Sequence, residues 1–92
     1  MELEFDWDEG NILHISRHEV IPEEAEQAIG NDPLDLGAQT VDGEERFLNL
    51  GLTNRGRLLV VATTMRASRI RVVTAYADGR RLALLYTREK GL

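Results

Sequence analysis

The chain contains no cysteine, so neither a disulfide framework nor a thiolate metal site can hold it together. That absence fits a reducing cytoplasm, where the protein is expected to reside. No apolar run approaches the roughly 20 residues of a membrane span. The opening MELEFDWDEG is acidic where a signal peptide would be basic and then apolar. Internal repeats, low-complexity segments and linkers are missing as well. The 92 residues are therefore expected to form one domain, residues 1–92, near the lower end of what buries a core without staples.

Basic residues are almost absent from the first half. Residues 1–45 hold one, Arg17, against 14 Asp and Glu, a net charge of −13. Residues 46–92 hold nine Arg and Lys90 against Asp78 and Glu89, a net of +8, and the two halves together return the −5 of the whole chain. A split this sharp points to nucleic acid or to an acidic partner. The alternative is that the halves pack together and pair their charges.

What is present reads first as helical and then as extended. ELEFDWD alternates apolar and acidic residues, which predicts a short strand with Leu3, Phe5 and Trp7 on one side. EGNILHISRHEV predicts a short helix whose apolar face carries Ile12 and Ile15. IPEEAEQAIGNDP predicts a second helix, with Pro22 in its first turn, Glu23 and Glu24 at the positive end of the dipole, and Gly30 as its C-terminal cap. Ala25, Ala28 and Ile29 form its inward stripe. LDLGAQTV, RFLNLGLT, RLLVVATT and RIRVVTAY then predict strands, separated by DGEE, NRG and RAS as turns. In the closing DGRRLALLYTREKGL, Asp78 can cap a helix that carries Leu82, Leu85 and Tyr86 at i, i+3 and i+4. The expected fold is α+β: a small antiparallel sheet of three to four strands, two N-terminal helices and one C-terminal helix, with the helices on one face.

Arg66, Arg69 and Arg71 fall within MRASRIRVVTA. Strand alternation places Arg69, Arg71, Val73 and Ala75 on one face, expected to be exposed, and Ile70, Val72 and Thr74 on the other. With Arg66 across the tight turn, the three arginines line one end of the sheet. Planar guanidinium forks suit phosphate oxygens. The plainer reading is that arginine on an edge strand discourages aggregation. His14 and His18 lie four residues apart and can share a metal, but no motif positions a third ligand, so neither metal nor cofactor is expected. There is no nucleophile motif, glycine-rich phosphate loop or carboxylate pair at a telling spacing. An enzyme built from these residues would use His, Arg and Tyr on a phosphodiester. A base would activate the ribose 2′-hydroxyl, arginines would stabilise the phosphorane, and an acid would protonate the leaving oxygen, all without metal.

The order F-x-W-D, R-H-x-V-x-x-E-E-A, D-P, G-E-E-R-F-L-x-L-G-x-T-x-R-G-R-L-L-V-V and T-x-R-x-x-R-I-R-V-V-T-A, running from Phe5 towards Tyr86, resembles the BrnT-type toxins. The resemblance implies a RelE-like fold and a metal-independent, RNA-cleaving toxin encoded in a bacterial genome beside a DNA-binding antitoxin. Such a pair assembles as a heterotetramer around a dimeric antitoxin, and DNA is contacted only through the antitoxin. Position by position, it matches Arg17 and His18 to a basic residue and a histidine, Arg46, Arg66 and Arg71 to basic positions on the sheet, and Tyr86 to a tyrosine on the last helix; His18, Arg66, Arg71 and Tyr86 are expected to be catalytic, and Arg17, Arg46, Arg57, Arg69 and Tyr76 to bind RNA. The family has glycine where this chain has Glu19, and charged groups where it has Tyr76, Ala77 and Leu82. The alternative is a non-catalytic module that holds an acidic protein partner or RNA.

Overall fold

The period-two stretches form a single antiparallel meander. In this computed structural model, which describes residues 3–77 and 79–91, the elements run α1 (Glu9–Ser16), α2 (Pro22–Gly30), β1 (Leu34–Val41), β2 (Glu44–Leu52), β3 (Leu58–Arg66), β4 (Arg69–Ala77) and α3 (Arg80–Lys90). The sheet order is β1-β2-β3-β4, so each strand pairs with its sequence neighbour. The expected α+β class and the positions of the three helices agree with this arrangement. Asp78, expected as a helix cap, lies outside the described residues.

The helices do not collect on one face. Leu59 and Val61 of β3 pack with Val72 and Ala75 of β4 against Ile15, Val20, Ala25 and Ala28 from the α1–α2 side. Val60, between them, points the other way and packs with Leu50 and Tyr86, with Leu58 and Leu82 beside it. α3 therefore covers the sheet face opposite α1 and α2. The reason lies in the run Leu58–Ala62: a strand segment apolar at every position must be buried on both faces.

Two local expectations also change. Ile12 of α1 is 39 % exposed, and the buried pair is Asn11 and Ile15, one turn apart. Gly30 is the last helical residue of α2, with Asn31 as its C-cap. The first stretch, expected as a strand, makes one parallel bridge, Phe5 to Ile70, in which Asp6 N donates to Ile70 O at 2.8 Å and Ile70 N to Glu4 O at 2.9 Å. Phe5 and Trp7 nevertheless face the core as alternation requires, and Trp7 Nε1 donates to Glu26 Oε2 at 2.7 Å.

α2 sits close on the sheet because of Gly51. A side chain there would overlap the carbonyl oxygen of Ala28, so only glycine lets the helix backbone approach β2 this closely. The turn between α1 and α2 is tight as well. Val20 N donates to Ile15 O at 3.2 Å, and Glu19 adopts a left-handed backbone with φ of 59°. That conformation explains why glycine suits this position.

Candidate functional site

A β-bulge re-aims the strand that carries the arginines. Ala62 pairs with Thr74, but Thr63 pairs with Val72, which leaves Val73 unpaired. Alternation therefore breaks in the middle of β4. Val72 and Ala75 both face the α1–α2 core, whereas Arg71, Thr74 and Tyr76 face the side that carries α3. The expected grouping of Arg71 with Ala75, and of Val72 with Thr74, is corrected accordingly. Arg69 and Arg71 do share a face.

α3 covers only part of that side, at Leu50, Leu52, Leu58 and Val60. The remainder is an open cleft of about 480 Å³. Arg46 of β2, Thr64 of β3 and Arg71 and Thr74 of β4 form its floor, and Gly10, Asn11 and His14 of α1 form its rim across the edge of β4. Glu44 also lines it, with Oε1 3.1 Å from Arg46 Nε. His18 stands beside His14, with ring centroids 5.8 Å apart, and the ring of Tyr76 lies 5.9 Å from that of His18.

Of the other groups proposed from the sequence, Arg71 is shared between the cleft and an ion-pair network, and Arg66, Arg69, Arg57, Tyr86 and Arg17 are not among the cleft's lining residues. The N-terminal stretch runs along β4 and sets its carboxylates against the arginine cluster. Arg71 Nη1 lies 3.0 Å from Asp8 Oδ2 and 3.3 Å from Asp6 Oδ2, Arg66 Nη1 is 3.8 Å from Asp6 Oδ2, and Arg69 Nε is 3.6 Å from Glu4 Oε2. Arg71, expected on an exposed face, is 19 % exposed at its side chain and held inside this network. The physical reason is that strands place alternate residues on one face, so Glu4, Asp6 and Asp8 all meet the arginines while Phe5 and Trp7 meet the core. Arg57 is tied to the α1–α2 turn: its Nη1 donates to Glu19 O at 2.6 Å and lies 3.2 Å from Glu24 Oε1. Tyr86 is 7 % exposed, within the apolar layer under α3. Arg17 is exposed just beyond α1.

Asp8 links this network to α1. It is the N-cap of the helix: Asp8 Oδ1 accepts from Asn11 N at 3.1 Å, and Asp8 N donates to Asn11 Oδ1 at 2.8 Å. The Arg71 guanidinium, with the Asn11 backbone N–H, holds the Asp8 carboxyl below the usual carboxylate range. The same hydrogen bond raises Arg71 further above its ordinary value. Asn11 Nδ2 donates to Val72 O at 3.1 Å and to Asp6 O at 3.0 Å, which docks the helix on the edge of β4.

Sequence reasoning missed Asn11, Thr64 and Thr74, and treated His14 only as half of a metal pair. A buried asparagine following Asp8 at capping-box spacing was the available signal for Asn11. Among the described residues, no three His, Cys, Asp or Glu side chains gather as a metal-binding group. Nor is any helix among them long and apolar enough to cross a membrane.

No curated protein matches the chain. Residues 7–82, from Trp7 through the first turn of α3, match the family described as "Ribonuclease toxin, BrnT, of type II toxin-antitoxin system". Tyr86 lies beyond the matched residues. The match covers most of the sequence, including all four strands and the arginine-bearing β3–β4 hairpin, and the chain therefore belongs to the BrnT family of ribonuclease toxins of type II toxin-antitoxin systems.

Proposed function

We propose that this chain is a metal-independent endoribonuclease toxin that cleaves RNA in the cleft between α1 and the open half of the sheet. The observation that carries this reading is the meeting of Arg46, Arg71, Thr64 and Thr74 with an imidazole in one open cleft. Phosphoryl transfer to a neighbouring 2′-hydroxyl needs a base, a route for the leaving-group proton, and positive charge where the phosphorane forms. Histidine types supply the first, and guanidinium groups supply the charge without a metal. The hydroxyl of Thr74 adds a hydrogen-bond donor for a non-bridging oxygen or ribose, whereas Thr64 already donates its own to Glu45 O at 3.0 Å.

Membership of a type II family implies an antitoxin protein as partner and RNA as substrate. A heterotetramer around a dimeric antitoxin, with DNA reached only through that antitoxin, and a RelE-like architecture are parts of the same proposal. His18, Arg66, Arg69, Tyr76 and Arg17 flank the cleft reading as secondary contacts for a longer RNA.

One observation favours a second reading, a non-catalytic module. Glu4, Asp6 and Asp8 already neutralise Arg66, Arg69 and Arg71, so part of the cationic half is satisfied within the chain. Cleavage of a structured RNA in EDTA by the purified chain, with Arg46→Ala and His18→Ala run alongside, separates the two. Cleavage by the parent that Arg46→Ala abolishes supports the toxin reading. A folded parent that binds RNA without cleaving it supports the module.

A further inference from the structure

Two imidazoles lie near the cleft, His14 on α1 and His18 in the turn after it, and the resemblance to the family points to His18. The cleft points to the other. His14 is a lining residue of the cleft, whereas His18 is not and packs its ring near those of His14 and Tyr76. The helix that carries His14 is held firmly one turn earlier. Asn11 is 4 % exposed, and its amide group bonds to Asp6 O, Val72 O and Asp8 N at once. Val72 is the residue immediately before the bulge at Val73, so the helix is pinned where β4 opens toward the cleft. Residue 14, one turn further along, thereby lines the same cleft as Arg46 and Thr64. Glu44 is the one carboxylate among the lining residues, and Arg46 Nε engages it.

We infer that His14 is the base that activates the attacking 2′-hydroxyl; this rests on the ribonuclease reading above. Neutral His14 takes the 2′-hydroxyl proton, and the 2′-oxygen forms its bond to phosphorus. The bond from phosphorus to the 5′-oxygen breaks, and its electron pair leaves on that oxygen. The products are a 2′,3′-cyclic phosphate and a 5′-hydroxyl. The 5′-oxygen takes its proton from solvent, to which the open cleft gives access, and His14 returns its proton to solvent. The balance closes without a co-reactant.

The test uses the full chain, an end-labelled RNA cleaved by the parent, and His14→Gln beside His18→Gln. His14 is exposed, so its replacement removes no core contact. His14→Asn serves as a second variant, and a thermal melt and RNA-binding anisotropy accompany each. The expected result is a single-turnover rate at least about 100-fold lower for both His14 variants, with melting and RNA binding kept. His18→Gln is expected to lose less than about 10-fold, below the range of a general base. A substrate with sulfur in place of the 5′-bridging oxygen needs no proton on its leaving group, so it should leave the His14 defect in place. Parent-like cleavage by His14→Gln would overturn the assignment. Rescue by the sulfur substrate would overturn it too, because His14 would then be the acid. A folded parent that binds RNA and never cleaves it would remove the ribonuclease reading itself, and this inference with it.

Discussion

Arg71 and Asp8 stand 63 positions apart in the chain, yet the guanidinium of one meets the carboxylate of the other at 3.0 Å and again at 3.2 Å. The pair joins the arginine-rich strand to the N-cap of α1. A group suited to phosphate therefore also anchors the helix that carries His14.

Arg71→Ala should lower stability by about 1–2 kcal/mol, between the value of a surface pair and that of a buried charged hydrogen bond. Urea denaturation measures this. An unchanged midpoint would mean that the pair contributes only to function.

The pH dependence of the same contact has a definite sign. Because the folded-state pKa of Asp8 is depressed, its contribution is present above the ordinary carboxylate value of about 4 and is lost as pH falls through the depressed value. Asp8→Asn keeps a capping side chain but removes the charge. Its melting temperature should fall below the parent's at pH 7, and the gap should narrow below about pH 4. A gap that stays constant down to pH 2 would contradict this.

Arg46 and Arg57 should separate binding from folding. Arg46→Ala removes a cation from the cleft floor, so the slope of log K for single-stranded RNA against log salt should flatten by about 0.7. Arg57→Ala strips the guanidinium from the Glu19 carbonyl and from Glu24, and should cost about 1–3 kcal/mol of stability. Anisotropy titrations at several salt concentrations and chemical denaturation read the two effects separately.

Gly51 and Glu19 give opposite substitutions. Gly51→Ala forces α2 away from β2 at Ala28, and should cost about 1–3 kcal/mol as an overpacking change. Glu19→Gly relieves a left-handed backbone, and should raise stability by about 0.5–1 kcal/mol. Thermal melts of the two variants moving in the same direction would refute this account of the α1–α2 turn or of the helix–sheet approach.

Much of the architecture was legible because its causes are local. Pro22, Glu23 and Glu24 mark the start of α2, and the turns at Asp42–Gly43, Asn54–Gly56 and Ala67–Ser68 separate strands whose side chains alternate. The apolar run Leu58–Ala62 already signalled burial on both faces, and its use would have moved α3 to the opposite side. The bulge at Val73 left no comparable mark, because Ile70 to Ala75 reads as an unbroken strand and the extra residue is set by pairing with β3.

By itself, the sequence determined the order and kind of the elements, the split of charge between its halves, and the kinship carried by its arginine-rich motifs. These depend on neighbours a few residues apart, where periodicity, capping and turn chemistry act. Only the tertiary structure decided which arginines line an open cleft and which carboxylates meet them. It brought Asp6 and Asp8 to Arg71, Glu24 to Arg57, and His14 and Arg46 to one cleft across distances along the chain that no local pattern spans. Side-chain charge is written in each residue, but the partner that meets it is chosen by how the strands and helices pack.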